Sequence, residues 1–354
     1  MLLSPRDGDL VPEVDRALAA AGPDPRFKRE LPASQIESMT TPCATVEELA
    51  DQLLQARSDL AAALDDRIDL AAAGVHPYAA AAGPLNRGTR YDAAVEEFGK
   101  EVLSRQLVFA LHIHVAPGNA NTALAVYNGL RSYLPAITAI AANAPFHAAS
   151  DTGLASVRPE IAALLPRQGI PPPLASWDEY ADRLRATRLG DSSAVLGSWW
   201  WELRPHPRFG TLELRVPDAQ TTIGDAAAIA ALGQCLVTWL SERYEQGEEL
   251  AVHPSWRIAQ NSRLAARDGV GATLIDLEHG EPIPVRDSVA RVLGQLKPVA
   301  VGLGCERQLA LIGGLLERNG ASRQREIAAE HSLRGVVDWL VSQFLAPMRA
   351  GAVA

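Results

Sequence analysis

The segment Thr211-Leu-Glu-Leu-Arg-Val-Pro-Asp218 alternates apolar and polar residues with a period of two, and this pattern constrains the fold more than any other stretch of the chain. A strand sends successive side chains to opposite faces. Leu212, Leu214 and Val216 therefore share one face, and Glu213 and Arg215 share the other. Such a strand requires a neighbour in the sheet and an apolar layer behind it. Residues 198–204 read as that neighbour, joined through Pro205-His-Pro-Arg-Phe-Gly210 in a hairpin-like unit with a long loop. Glu202 and Arg204 share a face there, after Trp199-Trp-Trp201. Taken alone, a Glu and an Arg on one strand face are an exposed ion pair of little consequence. Pairing the two strands puts two acids and two arginines on one face. Arginine forks hold phosphate and carboxylate groups, and carboxylates among them suggest a bound cation.

A third strand is expected over 107–115, Leu-Val-Phe-Ala-Leu-His-Ile-His-Val. Leu111, Ile113 and Val115 face one way, His112 and His114 the other. A lone histidine is usually a satisfied core or surface residue. Two at i and i+2 on one strand face favour a metal or substrate role. Glu30 and Glu37 stand seven residues apart, which in one unbroken strand would separate their faces. Pro32 breaks the strand, so both can reach one site. The bland alternative is a solvated Glu30; it is weaker for Glu37, between Ile36 and Met39. Residues 145–176, rich in Pro, Gly and Ser, read as a long functional loop. It carries Ser150-Asp-Thr-Gly-Leu-Ala-Ser-Val-Arg158, whose hydroxyls and arginine suit an anion, or an ordinary polar loop.

The remaining pattern is helical. Thr45 with Glu48 forms a capping box opening a helix over 45–72. Residues 120–142 are Ala-rich and helical. Beyond Thr222 the expected helices run over about 224–247, 255–268, 286–298, 303–319 and 322–346. Strands and helices first, then helices alone, indicate an α+β fold with an antiparallel sheet rather than alternating βαβ units. Residues 1–354 are read as one domain, helical from about 224. No glycine-rich loop of the Rossmann or P-loop kind opens a helix.

The bulk numbers exclude some classes. The net charge is −9, from 33 basic and 42 acidic residues, which argues against a nucleic-acid surface. Cys43, Cys235 and Cys305 lie far apart and form neither a disulfide framework nor a zinc knuckle. No apolar run approaches a bilayer span, and the start lacks the order of a signal peptide. Cytoplasmic residence with no membrane partner is the expectation, and a homodimer is the prior for such an enzyme.

Several segments occur together in order: Glu30 to Glu37, Gly74-Val-His-Pro77, His112-Ile-His-Val115, Asp151 to Arg158, Trp201 to Asp218, and Ala321-Ser-Arg-Gln-Arg325. Together they resemble the carboxylate–amine ligases of the glutamate–cysteine ligase type 2 family, over nearly the whole chain. The resemblance implies a fold similar to the catalytic part of glutamine synthetase: a curved, mainly antiparallel sheet with helices on its outer face. It implies ATP and Mg2+ on the concave face, and amide formation through an acyl phosphate. The substrates are amino acids, or a carboxylate and an amine. By resemblance, Glu30, Glu37, His114 and Glu213 are the metal ligands, with Glu213 also catalytic. Arg204 and Arg215 are catalytic and hold the nucleotide phosphate or acyl phosphate. Arg158 and His112 bind substrate.

The family opens with a Gly-x-Glu-x-Glu strand, whereas Met1 to Leu10 looks like the segment after it; the expectation is a start further upstream. Two rival readings are a zinc-dependent hydrolase built on His112 and His114, and a non-catalytic relative that binds nucleotide or amino acid.

Overall fold

The computed structural model describes residues 1–186 and 199–346. The alternating segments form a three-stranded antiparallel sheet, with Thr211–Leu214 between Ile113–Val115 and Leu203–His206. His114 stands opposite Glu213 on one side, and Arg204 opposite Glu213 on the other. Leu203, Leu212 and Leu214 are buried in the core beneath. The sheet's two faces therefore divide as the alternation requires. The start of the strand expected from 198 lies outside the described residues.

Helix Ile223–Glu245 lies under the apolar face. Thr222 caps it, its hydroxyl accepting from the Asp225 N–H at 3.0 Å. A Cβ added to its Gly233 would sit 3.7 Å from both Ile113 and Leu214. The helix also packs on Val46–Leu64, Ala120–Leu130 and Val285–Leu303. Contrary to the sequence reading, this helix is long and apolar enough to cross a bilayer, yet 72% of its most apolar stretch is buried inside the protein. It forms the centre of the main core.

The sheet is smaller than expected. Among the described residues there are five separate antiparallel sheets, four of them two-stranded. The fold is mixed helix and sheet with short strands. Proline explains part of the fragmentation, because it withholds a ladder donor. At Pro217 the consequence is visible. Ile113 pairs with Leu214, and Ala110 bridges Asp218. Two residues, Leu111 and His112, lie between the first pair of positions; three, Arg215, Val216 and Pro217, lie between the second. One strand thus carries an extra residue, a β-bulge. Leu111 N–H donates to the Pro217 carbonyl at 3.1 Å across it. The expected strand over 107–115 is therefore regular only at 113–115.

The helices match with local breaks. Val46–Leu64 starts at Thr45 as expected but stops at Asp65 in the left-handed region. Its Glu48 carboxylate accepts from the Ala44 N–H rather than that of Thr45. The 120–142 helix is split by a tight turn at Arg131–Tyr133, followed by Pro135 near the start of Leu134–Ala141. The expected 303–319 helix is two, Glu306–Ala310 and Ile312–Glu317. The last is also two, broken where Ser332 caps Leu333–Gln343. Helices Val14–Ala21 and Thr89–Phe98 went unread. The long loop carries a two-stranded turn and the short helix Arg158–Ala162.

Candidate active site

The polar face of the sheet is the floor of a cleft of about 2020 Å³. That is larger than a site for one small ligand. Glu30, Glu37, His112, His114, Arg158, Glu202, Arg204, Glu213 and Arg215 all line it.

Glu213 sits at the middle of the central strand, 2% exposed. Its Oε2 accepts from Arg204 Nε at 2.8 Å and Nη2 at 2.7 Å; its Oε1 accepts from Arg215 Nη1 at 2.6 Å. Strand geometry places all three, because Arg204 is the cross-strand neighbour and Arg215 the next residue on the same face. Burial pushes the Glu213 carboxyl up, but the Arg215 and Arg204 guanidinium groups outweigh it and hold the group down at about 2. Arg215 Nε is buried and has no hydrogen-bond partner among the described residues.

His112 Nδ1 lies 3.4 Å from Arg215 Nη1. The same nitrogen lies 3.6 Å from Glu213 Oε1, and because a guanidinium only donates it serves as the acceptor toward Arg215. Burial first, then the Arg215 charge, lower the His112 pKa accordingly. His114 is also kept neutral, chiefly by burial. Its Nδ1 meets the Thr211 hydroxyl at 2.9 Å, and its Nε2 is 3.8 Å from Glu213 Oε1. His206 and Phe209 of the hairpin stack with ring centroids 4.3 Å apart, and the His114 ring packs edge-on against both.

Glu37 lies on the strand Ile36–Ser38, opposite Lys28. Burial and the neighbouring Glu30 charge raise its pKa. A carboxyl raised in this way beside a second acid, facing a cleft, suits a cation. Yet among the described residues no three His, Cys, Asp or Glu side chains converge as a metal cage. The four ligands expected from the resemblance, Glu30, Glu37, His114 and Glu213, line one cleft but do not close on one point, and both Glu213 oxygens already carry guanidinium donors. Mg2+ is ordinarily held by one or two carboxylates plus substrate phosphates. Glu30 and Glu37 fit that arrangement; the four-residue set does not form a cage here.

Arg158 is placed differently from the substrate anchor expected of it. Its Nε donates to Asp218 Oδ1 at 2.7 Å and its Nη2 to the Val216 carbonyl. Asp218 also accepts from Ser156 Oγ at 3.0 Å and from the Asn143 N–H at 2.7 Å. This buried knot ties the long loop to the bulged strand. Two other motif segments are likewise structural. His76 bonds the Gly8 carbonyl and the Tyr78 and Ala79 N–H groups. Arg323 pairs with Asp225, Arg325 with Asp151, and Gln324 with Asn143.

Sequence reasoning counted Glu202 on the Arg204 face among the acids suggesting a cation, but did not include it among the named site residues. It also read the cysteines as unrelated, but Cys235 and Cys305 bring their sulfurs to 3.5 Å in the core. Neither spacing nor motif signals that approach.

The family model for glutamate–cysteine ligase family 2 matches residues 3–342. The chain belongs to glutamate–cysteine ligase family 2. A relative from Rubrobacter xylanophilus, named "Putative glutamate--cysteine ligase 2-3", is 37% identical over 96% of this chain and 93% of its own length. One from Thermobifida fusca, named "Putative glutamate--cysteine ligase 2", is 36% identical over 95% and 84%. The fold is that of the Francisella tularensis glutamate–cysteine ligase solved with AMP: TM-score 0.70, 11% identity, 99% of this chain and 88% of that one. A bifunctional glutathione synthetase from Pasteurella multocida superposes with a TM-score of 0.65 at 14% identity, over 91% of this chain and 48% of its own. Family membership replaces the zinc hydrolase reading, and Arg215 stands against His112 where that reading needs a further ligand.

Proposed function

We propose that this chain is an ATP- and Mg2+-dependent carboxylate–amine ligase, joining the γ-carboxylate of glutamate to an amino acid amine such as that of cysteine through an acyl phosphate. The observation that carries the reading is Glu213 held between Arg204 and Arg215 on the floor of a cleft large enough for a nucleotide and two amino acids. Phosphoryl transfer needs positioning and charge stabilisation more than covalent help. Arg215 lines the cleft with an Nε that has no hydrogen-bond partner among the described residues, and Arg204 stands on the other side of the same carboxylate. Their fixed donors meet the charge that grows on the transferring oxygens without reorganisation. Glu213 holds both forks in position. Mg2+, when bound with nucleotide near Glu30 and Glu37, would neutralise phosphate charge. Neutral His112 and His114 avoid adding positive charge that would trap the product. The three-stranded sheet with helix Ile223–Glu245 behind it is read as the centre of a curved, glutamine synthetase-like sheet whose concave face is the cleft.

The test is ADP release from the purified protein with ATP, Mg2+, glutamate and cysteine, leaving out each component in turn. ADP that requires all four, with a γ-linked dipeptide by mass, supports the reading. ADP release indifferent to the amino acids sinks it.

A further inference from the structure

Glu202 is the second acid on the sheet's polar face, and its surroundings are the reverse of those of Glu213. It lies one residue before the strand Leu203–His206, and its backbone carbonyl accepts from the Arg215 N–H at 2.8 Å. Leu203 points into the core with no exposure, so the residues on either side of it, Glu202 and Arg204, point to the cleft. Both line it. Glu213 carries three guanidinium nitrogens. Glu202 carries none: its Oε2 is shut from solvent with no hydrogen-bond partner among the described residues. The charged groups nearest it along the sheet are Arg204 on its own strand and Arg215 on the paired strand, with Arg158 across the cleft wall, and its N–H donates to the Gly169 carbonyl at 3.0 Å. Of these, Arg158 opposes the effect of burial, and its nitrogens are bonded to Asp218 and Val216 instead.

We infer that Glu202 is the base that takes a proton from the incoming amine, a role that rests on the ligase reading above. The amine substrate is an ammonium ion at neutral pH and cannot attack until it loses a proton. The N–H bond breaks and its proton passes to the Glu202 carboxylate. The freed lone pair forms the C–N bond with the acyl carbon. The C–O bond to phosphorus breaks with its electrons on the phosphate oxygen, and the leaving phosphate takes the second proton that the new amide sheds. Glu213 is not placed to do this, since both of its oxygens already accept from the Arg204 and Arg215 guanidinium groups. Burial raises Glu202 to about 7, where a base both exists ionised and accepts a proton readily. Two carboxyl groups pushed apart by their environments divide the work between charge clamp and base.

The experiment compares two acceptors. Hydroxylamine is already unprotonated at neutral pH and needs no base, whereas cysteine does. With ATP, Mg2+ and glutamate, Glu202→Gln is expected to lose about 10²–10⁴-fold in turnover with cysteine, while formation of the γ-hydroxamate falls only a few-fold. Equal losses with both acceptors overturn the proposal, because they mean that Glu202 serves the acyl phosphate or the fold. If Glu202→Gln is poorly folded by circular dichroism, Glu202→Asp decides. A displaced acidic limb in its pH–rate profile with cysteine, and an unchanged profile with hydroxylamine, support the base; an unmoved limb overturns it. A wild-type protein that yields neither hydroxamate nor ADP overturns the ligase reading, and this inference falls with it.

Discussion

Two carboxylates of one strand, Glu213 and Asp218, meet arginine in opposite ways. Asp218 is closed. Arg158, Ser156 and the Asn143 N–H fill its oxygens, and Gly74 approaches so closely that a Cβ there would lie 2.6 Å from the Asp218 carboxyl carbon. Glu213 is open. It faces a cleft with more cation than it can neutralise, and Arg215 keeps an unused donor. Both are buried acid–arginine clusters. One is complete and ties segments together; the other is complete only when an anion arrives.

The comparison breaks most readily at Asp218. Asp218→Ala strands the Arg158 charge in a buried place and is expected to cost about 3–5 kcal/mol of stability. Denaturant unfolding measures it, and a loss below about 1 kcal/mol would erase the distinction between the clusters. Arg215→Lys should be the mirror case. A point charge cannot replace the fork, so turnover falls by about 10²–10³-fold while the unfolding midpoint moves little. Steady-state ADP release beside a thermal melt separates the two effects, and a large melt shift with intact turnover would reverse the assignment.

Acid sharpens the same contrast. Glu213 titrates near 2 in the fold against an ordinary 4.5. A depressed carboxyl adds stability that is fully present above its unfolded value and lost as pH falls through the folded one; the gap is worth ~3 kcal/mol. Thermal melts from pH 5 to pH 2 should show that loss in wild type and a flatter profile in Glu213→Gln. Parallel profiles would mean that the arginines do not hold the carboxylate. The smallest effect is expected at Glu30→Gln. It removes one of two carboxylates near the proposed cation, so ADP release should need several-fold more Mg2+ with little change in maximal rate. An unaltered Mg2+ requirement would take Glu30 out of the site.

Much of this was legible in sequence, for definite reasons. Period-two alternation fixed which side chains of Thr211–Leu214 share the cleft, because strand geometry leaves no choice. Thr45, Thr222 and the apolar periodicity marked the starts of two core helices. Partner identity was not legible. Arg158 and Arg215 look alike as letters; only the fold shows that one is spent on Asp218. Glu202 lacked a signal because its peculiarity is what does not touch it. The Cys235–Cys305 approach depends on packing between elements remote in sequence.

The bulge at Arg215–Pro217 has a consequence for how this chain can vary. Strand alternation is a two-letter reading frame, and the extra residue shifts that frame by one letter between Glu213 and Asp218. Gaining one further residue beside Pro217 would shift the frame again and turn Asp218 to the opposite face, away from Arg158, without altering any residue that does chemistry. The exposed tip at Arg208–Gly210 lies outside the frame and should accept an inserted residue. Length, not only letter, is thus part of what the strand encodes.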